Sequence, residues 1–111
     1  MRYVVRFTIH NDDKFFGPGV ASLLKLVADK GSLRMAANEL NMAYSKAWKL
    51  VKRASDELGF KLLDSKTGGK SGGGATLTDK GRDFLNKYLE MDQKLHAHAN
   101  ELFKQYFPES P

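Results

Sequence analysis

The spacing of hydrophobic residues predicts a strand near the N-terminus and four helices. Residues 2–10 alternate between apolar and polar side chains, which is the period of a half-buried strand. Further along the chain, apolar residues recur every three or four positions, as they do on one side of an α-helix. This spacing predicts helices over about residues 18–29, 33–40, 44–58 and 79–106.

The second and third predicted helices are joined by a tight turn at residues 41–43. The second helix is short and would bury Ala36 and Ala37, and such small side chains let the next helix cross closely. Residues with capping preferences mark the helix ends: Gly31, Ser32, Gly59 and Thr78. The pattern therefore predicts a helix-turn-helix.

Two short strand-like runs follow this unit, at residues 60–63 and 75–77. Between them, residues 66–74 include five glycines and cannot form a packed element. This pattern predicts a β-hairpin with a glycine-rich tip. A helix-turn-helix followed by such a hairpin is a winged helix, so we expect a mostly α fold with a small β component. Residues 1–111 are expected to form a single domain.

Charge and composition narrow the class of partner. The chain has 111 residues and a net charge of +5, which favours an anionic partner. It contains no cysteine, which excludes disulfides, thiolate catalysis and Cys-ligated zinc. His96 and His98 are two apart on a predicted helix and face different sides, so no metal site or cofactor is expected. The sequence shows no Ser, His and Asp grouping typical of an active site, and we expect no enzyme activity.

The sequence indicates neither a membrane helix nor a signal peptide. No apolar run approaches the roughly 20 residues that a membrane helix needs. The apolar part of the N-terminus is short and is interrupted by Arg6 and His10, unlike a signal peptide. We expect a cytoplasmic protein without a membrane partner.

The third helix carries most of the candidates for nucleic-acid contact. Its N-terminal part would meet base edges in the major groove, and the candidates there are Tyr44, Ser45, Lys46 and Lys49. Lys52, Arg53 and the hairpin lysines are better suited to phosphates. Trp48 is interpreted as a core or helix-crossing residue rather than a base-stacking one.

The hairpin tip contains Gly69-Lys70-Ser71, which suggests a nucleotide-binding loop. That loop requires a glycine five positions before Gly69, where this chain has Asp64, so a nucleotide site is not expected. Two interpretations remain open for the tip. It is either a disordered hairpin end or a wing that lies along the DNA backbone or minor groove.

The last predicted helix begins at residue 79 and ends at about residue 106 or 107. It is long for a domain of this size and should extend beyond the body of the protein. Its apolar residues approach a heptad spacing, which indicates a seam for a second helix. A second copy of the chain is the simplest partner. The expected dimerisation residues are Phe84, Tyr88, Met91, Leu95, Leu102, Phe103 and Tyr106.

Three motifs resemble the N-terminal winged-helix domain of the molybdate-responsive ModE regulators. They are SLLKLVADKGSLRMAANELNMAYSKAWKLV, the hairpin TGGKSGGGATLTDKG, and the long helix that follows. The helix-turn-helix pattern is shared more widely with LysR-type regulators. The resemblance implies a homodimeric transcription factor that reads DNA with its third helix and wing. Carried over by position, it implies DNA contacts by Ser32, Arg34, Tyr44, Ser45, Lys46, Lys49, Arg53, Thr67 and Lys70. Lys52, Lys66 and Ser71 complete the set of residues that we expect to contact DNA.

ModE regulators also carry C-terminal domains that bind molybdate, and this chain ends before such a domain. We therefore expect a stand-alone, single-domain form that does not bind molybdate. The leading hypothesis is a sequence-specific, dimeric regulator of transcription that binds duplex DNA. Two alternatives remain: a winged-helix module that binds another protein, and a nucleoid-type DNA binder with little sequence preference.

Overall fold

The computed structural model describes residues 1–66 and 74–109 and contains four helices and two short hairpins in this part of the chain. In chain order the elements are β1 (Ile9–His10), β2 (Lys14–Phe16), α1 (Pro18–Lys30), α2 (Leu33–Glu39), α3 (Tyr44–Leu58), β3 (Leu63–Lys66), β4 (Gly74–Leu77) and α4 (Asp79–Tyr106). The predicted fold class, a mostly helical winged helix-turn-helix, is confirmed.

The core lies where α1, α2 and α3 meet. Leu23, Leu24 and Val27 of α1 are completely buried, as the helical spacing predicts. They pack against the small side chains that α2 and α3 turn inward: Ala36, Ala37, Ala47 and Ala54. Because alanine extends little from its helix, the backbones of α2 and α3 can approach closely enough to form a rigid pair.

The turn between α2 and α3 depends on the left-handed conformation of Asn41, whose φ angle is 52°. Asparagine tolerates this conformation better than most residues. The next amide, that of Met42, donates a hydrogen bond of 2.9 Å to the carbonyl oxygen of Ala37. The turn is thus tied back to α2 and fixes the direction in which α3 leaves it.

The β3–β4 hairpin is antiparallel, with Leu63 opposite Leu77 and Lys66 opposite Gly74. The sequence-based prediction placed its first strand at residues 60–63, and that boundary is wrong. Leu62 is completely buried in the core, and its amide donates to the hydroxyl of Ser55 in α3. Residues 60–62 therefore close the core beneath α3, and strand pairing begins only at Leu63.

The prediction of a strand over residues 2–10 is also largely wrong, because residues 1–8 lie outside any strand and only Ile9–His10 pairs with β2. The predicted alternation nevertheless appears in the burial of the side chains. Phe7 stacks on Tyr88 of α4 with ring centroids 4.7 Å apart, and Tyr3 lies 4.7 Å from Phe103. The segment runs beside α4, which offers apolar side chains but no strand edge. The alternating burial therefore forms without the hydrogen bonds of a β-sheet.

The long helix α4 begins and ends as predicted. The hydroxyl of Thr78 accepts a hydrogen bond from the amide of Gly81 at 2.9 Å and caps its first turn. The molecule measures 58 × 27 × 22 Å, and a helix of 28 residues is about 42 Å long. Its second half therefore extends beyond the globular body, as expected.

Candidate nucleic-acid interface

Two rows of side chains point outward from α3. Residues four apart on a helix lie one above the other, so Ser45, Lys49 and Arg53 form one row and Tyr44, Trp48 and Lys52 form the next. All six side chains are exposed. The opposite side of α3 is buried in the core, so these rows are available to a partner.

Positive charge is uncompensated in the first two turns of α3. Lys46 and Lys49 are exposed, and neither forms an ion pair within residues 1–66 and 74–109. Tyr44 and Ser45 beside them carry hydroxyl groups that both donate and accept hydrogen bonds. In helix-turn-helix proteins this end of the second helix meets the base edges. The chemistry here suits that role.

The second half of α3 carries acidic residues that balance its cations. Lys52 forms an ion pair with Asp56 one turn further on, with Nζ and Oδ1 3.1 Å apart. Arg53 lies 3.9 Å from Asp13, which belongs to the turn between β1 and β2. These pairs are exposed to solvent, so each stabilises the fold only slightly. Both cations can exchange their carboxylate partner for a phosphate.

The start of α2 lies beside the start of α3. The hydroxyl of Ser32 accepts a hydrogen bond from the amide of Met35 and caps α2, which leaves its own proton free for another acceptor. The guanidinium of Arg34 lies over the ring of Tyr44, 4.2 Å from its centroid. This contact brings the predicted residues of α2 next to those of α3.

The base of the wing is attached to the same region. The amide of Ala75 in β4 donates a 3.0 Å hydrogen bond to the carbonyl oxygen of Gly31, the residue before Ser32. The backbone of Lys66, the last residue of β3, lies opposite Gly74 of β4. The remaining wing candidates, Thr67, Lys70 and Ser71, and the side chain of Lys66 lie outside what the structure describes. Their role in DNA contact therefore stays a prediction.

The predicted dimerisation seam of α4 divides into a buried and an exposed part. Tyr88 is 3% exposed and belongs to the core of its own chain, and the partly buried Phe84 packs edge-on against Phe16 of that core. The N-terminal segment covers Tyr88 within its own chain, and the part of Tyr88 in dimerisation stays a prediction. Phe103 lies against Tyr3. Met91, Leu95, Leu102 and Tyr106 form the remaining, exposed seam.

Tyr88 also anchors the N-terminal segment by a polar contact. Its hydroxyl donates a hydrogen bond of 2.7 Å to the carbonyl oxygen of Phe7. Burial raises the pKa of the Tyr88 phenol above its ordinary value, and the nearby carboxylate of Asp92 adds to this effect. The phenol therefore stays protonated and keeps donating at neutral pH.

Comparison with known families identifies the helix-turn-helix. The model of the family described as "Bacterial regulatory helix-turn-helix protein, lysR family" matches residues 21–82, which run from α1 to the first turn of α4. The chain belongs to this family. Its members are regulators of transcription rather than enzymes, and the matched region contains every candidate for DNA contact.

Among individual relatives, this LysR-family chain is similar to ModE proteins, as its motifs predict. It is 33% identical over 89 residues to the "DNA-binding transcriptional dual regulator ModE" of Escherichia coli strain K12, covering 79% of this chain and 34% of that protein. It is 32% identical over 83 residues to the "Molybdenum transport protein ModE" of Herbaspirillum seropedicae, covering 75% of this chain and 29% of that protein. The chain spans about a third of the length of these curated relatives.

Trp48 is the surface residue of this LysR-family domain that sequence reasoning missed. The sequence suggested a core or helix-crossing position, but the side chain is 48% exposed. The physical reason is its place on the helix. It lies one position outside the buried row of α3, which consists of Ala47, Val51 and Ala54. The signal that could have located it is its four-residue spacing from Tyr44 and Lys52.

The described residues contain no group of three or more His, Asp or Glu side chains able to hold a metal ion. His96 and His98 are exposed and contact acidic residues of their own helix, Asp92 and Glu101. Within the same residues, no helix is both long enough and apolar enough to cross a membrane.

Proposed function

We propose that the chain binds duplex DNA site-specifically, as a homodimeric regulator of transcription in the cytoplasm. In this proposal α3 enters the major groove, Ser32 and Arg34 contact the backbone beside it, and the wing lies along the backbone or minor groove. The proposal assigns no residue of this chain to molybdate binding. It rests on membership of a regulatory helix-turn-helix family together with the geometry of α3.

The observation that carries the proposal is the uncompensated charge at the start of α3. Lys46 and Lys49 project from a helix whose other side is fixed in the core, beside the hydroxyls of Tyr44 and Ser45. A rigid helix that presents donors and positive charge together can approach the phosphates and still form directed hydrogen bonds to bases. A general cationic surface would provide only the first of these.

The dimer is proposed from the exposed seam of α4. Met91 is 51% exposed and Tyr106 is 71% exposed, although both are apolar and lie on one side of the helix. Such a row favours a second helix of the same kind. Two copies would carry two α3 helices, and helix-turn-helix dimers bind half-sites about one duplex turn apart. We therefore expect an inverted-repeat target.

The test is selection of random duplexes by the purified protein at about physiological salt, with competitor DNA in excess. We expect enrichment of an inverted repeat. Enrichment of no sequence would replace the proposal with a nucleoid-type binder. Absence of any binding would favour a module that contacts another protein.

Replacing Lys49 by Glu should abolish binding to the selected sequence without disturbing the fold, because the side chain is exposed and forms no ion pair among the described residues. Affinity is measured by titration of labelled duplex, and folding is measured by circular dichroism. The matched control is Lys104→Glu, which makes the same charge change at an exposed position on the far half of α4. Equal affinities for Lys49→Glu and the unaltered protein would refute the role of α3.

A further inference from the structure

Trp48 is the only tryptophan of the chain, and it is 48% exposed on α3. A single exposed apolar residue is common on protein surfaces and needs no explanation. Trp48, however, has an exposed aromatic neighbour, since Tyr44 lies one turn before it on the same side of the helix and is 40% exposed. Together they form an aromatic row on the side of α3 that also carries Lys52.

Cations stand at both ends of this aromatic row. At its start, the guanidinium of Arg34 lies 4.2 Å from the centroid of the Tyr44 ring. At its other end, Lys52 follows Trp48 by one turn, and its side chain is 53% exposed. The row is therefore an apolar strip bounded by positive charge. The sugar–phosphate strand of DNA has the complementary character, because apolar deoxyribose faces alternate with anionic phosphates along it.

We infer that the Trp48 indole packs against the sugar–phosphate strand that borders the groove entered by α3, with its Nε1–H donating a hydrogen bond to a phosphate oxygen. This inference rests on the proposed function and adds a contact residue to it. The indole nitrogen is a donor only, which suits an acceptor such as phosphate. Phosphate contacts set the position of a protein on DNA without reading its sequence. Trp48 therefore strengthens binding to every duplex by a similar factor.

The unaltered protein provides the first test, because all of its tryptophan fluorescence comes from Trp48. Saturation with a duplex should change the emission intensity or wavelength of Trp48 and should shield it from the quencher acrylamide. Unchanged emission together with unchanged quenching, at a duplex concentration that binds all of the protein, would overturn the inference. It would leave the proposed function intact, since binding itself is followed separately on labelled DNA.

The second test replaces Trp48 by Phe, which keeps an aromatic ring but removes the N–H donor. Affinity should fall roughly tenfold, the size of a lost hydrogen bond to a charged group, and by the same factor on selected and unrelated sequences. Val4→Ala, an apolar truncation at a 78% exposed position outside α3, serves as the control and should leave affinity unchanged. An unaltered affinity in Trp48→Phe would overturn the inference.

Salt dependence separates a direct contact from an effect through Lys52. A neutral N–H releases no counterion, so Trp48→Phe should weaken binding without altering the slope of log affinity against log salt. Lys52→Ala should lower that slope by about 0.9, the value for one phosphate contact. If Trp48→Phe lowers the slope as Lys52→Ala does, the indole acts only by positioning Lys52 and the inference is wrong. If the unaltered protein binds no duplex at all, the proposed function itself has failed.

Discussion

Asp56 lies seven residues after Lys49, on the same outward side of α3. Its carboxylate holds the ammonium group of Lys52 at 3.1 Å, and its side chain is 63% exposed. A carboxylate at this place repels phosphates, while the lysines of the preceding turns attract them. In the proposed orientation of α3, its acidic end would limit how far along the helix a duplex makes favourable contacts and would weaken binding to DNA of any sequence.

Replacing Asp56 by Asn should strengthen binding to unrelated duplexes several-fold, because the change removes one repulsive charge and frees Lys52 for a phosphate. The gain should shrink as salt rises, since screening weakens interactions between exposed charges. The free energy of unfolding should change by less than about 1 kcal/mol, the value of an exposed ion pair.

The measurement is affinity for a random-sequence duplex at two salt concentrations. Glu90→Gln is the matched control, because it breaks a similar exposed pair, Lys94 with Glu90 at 3.3 Å, on α4. An equal gain in both variants would attribute the effect to net charge alone. No gain in Asp56→Asn would contradict the proposed orientation of α3.

At the scale of elements, the wing and α4 are joined at one tight junction. The hydroxyl of Thr78 donates to the carbonyl oxygen of Lys61 at 2.6 Å, and the amide of Thr78 donates to that of Leu62 at 3.0 Å. Gly81, in the first turn of α4, lies so close to Leu62 that a β-carbon would collide with the Leu62 carbonyl oxygen. Thr78 and the first turn of α4 are therefore fixed against Lys61 and Leu62, which precede the hairpin.

Replacing Gly81 by Ala should destabilise the protein by about 1–3 kcal/mol, as expected when atoms are forced into a packed site. The collision is with backbone, which cannot rotate away as a side chain would. Gly19→Ala is the matched control, because Gly19 also lies in the first turn of a helix but has open space around it. It should be neutral or stabilising by up to about 1 kcal/mol. Chemical denaturation measures both values, and equal stabilities would refute the tight junction.

The elements that sequence predicted well are those whose signals are local. Apolar spacing and a capping residue together define α4, so its boundaries could be predicted as Asp79 to Tyr106. The charged positions of α3 followed from the same spacing. Residues 1–8 have an equally clear alternation, but whether such a segment pairs depends on what lies beside it, and here that neighbour is a helix distant in sequence.

Trp48 and Tyr88, two residues of the candidate sites, also show that local sequence patterns do not determine what packs beside a residue. Sequence placed Trp48 at a core or helix-crossing position and Tyr88 in the dimerisation seam, whereas in the structure Trp48 is half exposed and Tyr88 is buried within its own chain. Each side chain is apolar and lies near the edge of a helical stripe, where packing by another element decides its exposure. The N-terminal segment covers Tyr88, whereas no described residue covers Trp48 to a comparable degree.

At the scale of the whole molecule, α4 accounts for the elongated shape, with one dimension of 58 Å against 27 and 22 Å for the other two. The first half of the helix is part of the core through Leu85 and Tyr88. Its second half carries the exposed seam. An apolar row that extends beyond the body adds little to the stability of one chain, because few of its atoms leave water. Its contribution is therefore expected in association.

Replacing Leu95 by Asp should convert the proposed dimer into a monomer, because Leu95 lies at the middle of the exposed seam. Dimerisation would bury the new carboxylate of each copy without a cation to neutralise it. Analytical ultracentrifugation over a range of protein concentrations measures the mass. Gln93→Asp, an equally acidic change on the opposite side of α4, should leave the mass unchanged. The monomeric variant should lose the preference for an inverted repeat over a single half-site, since two linked helices bind two half-sites far more tightly than one. A Leu95→Asp protein that keeps a dimer's mass would show that the seam is not the interface.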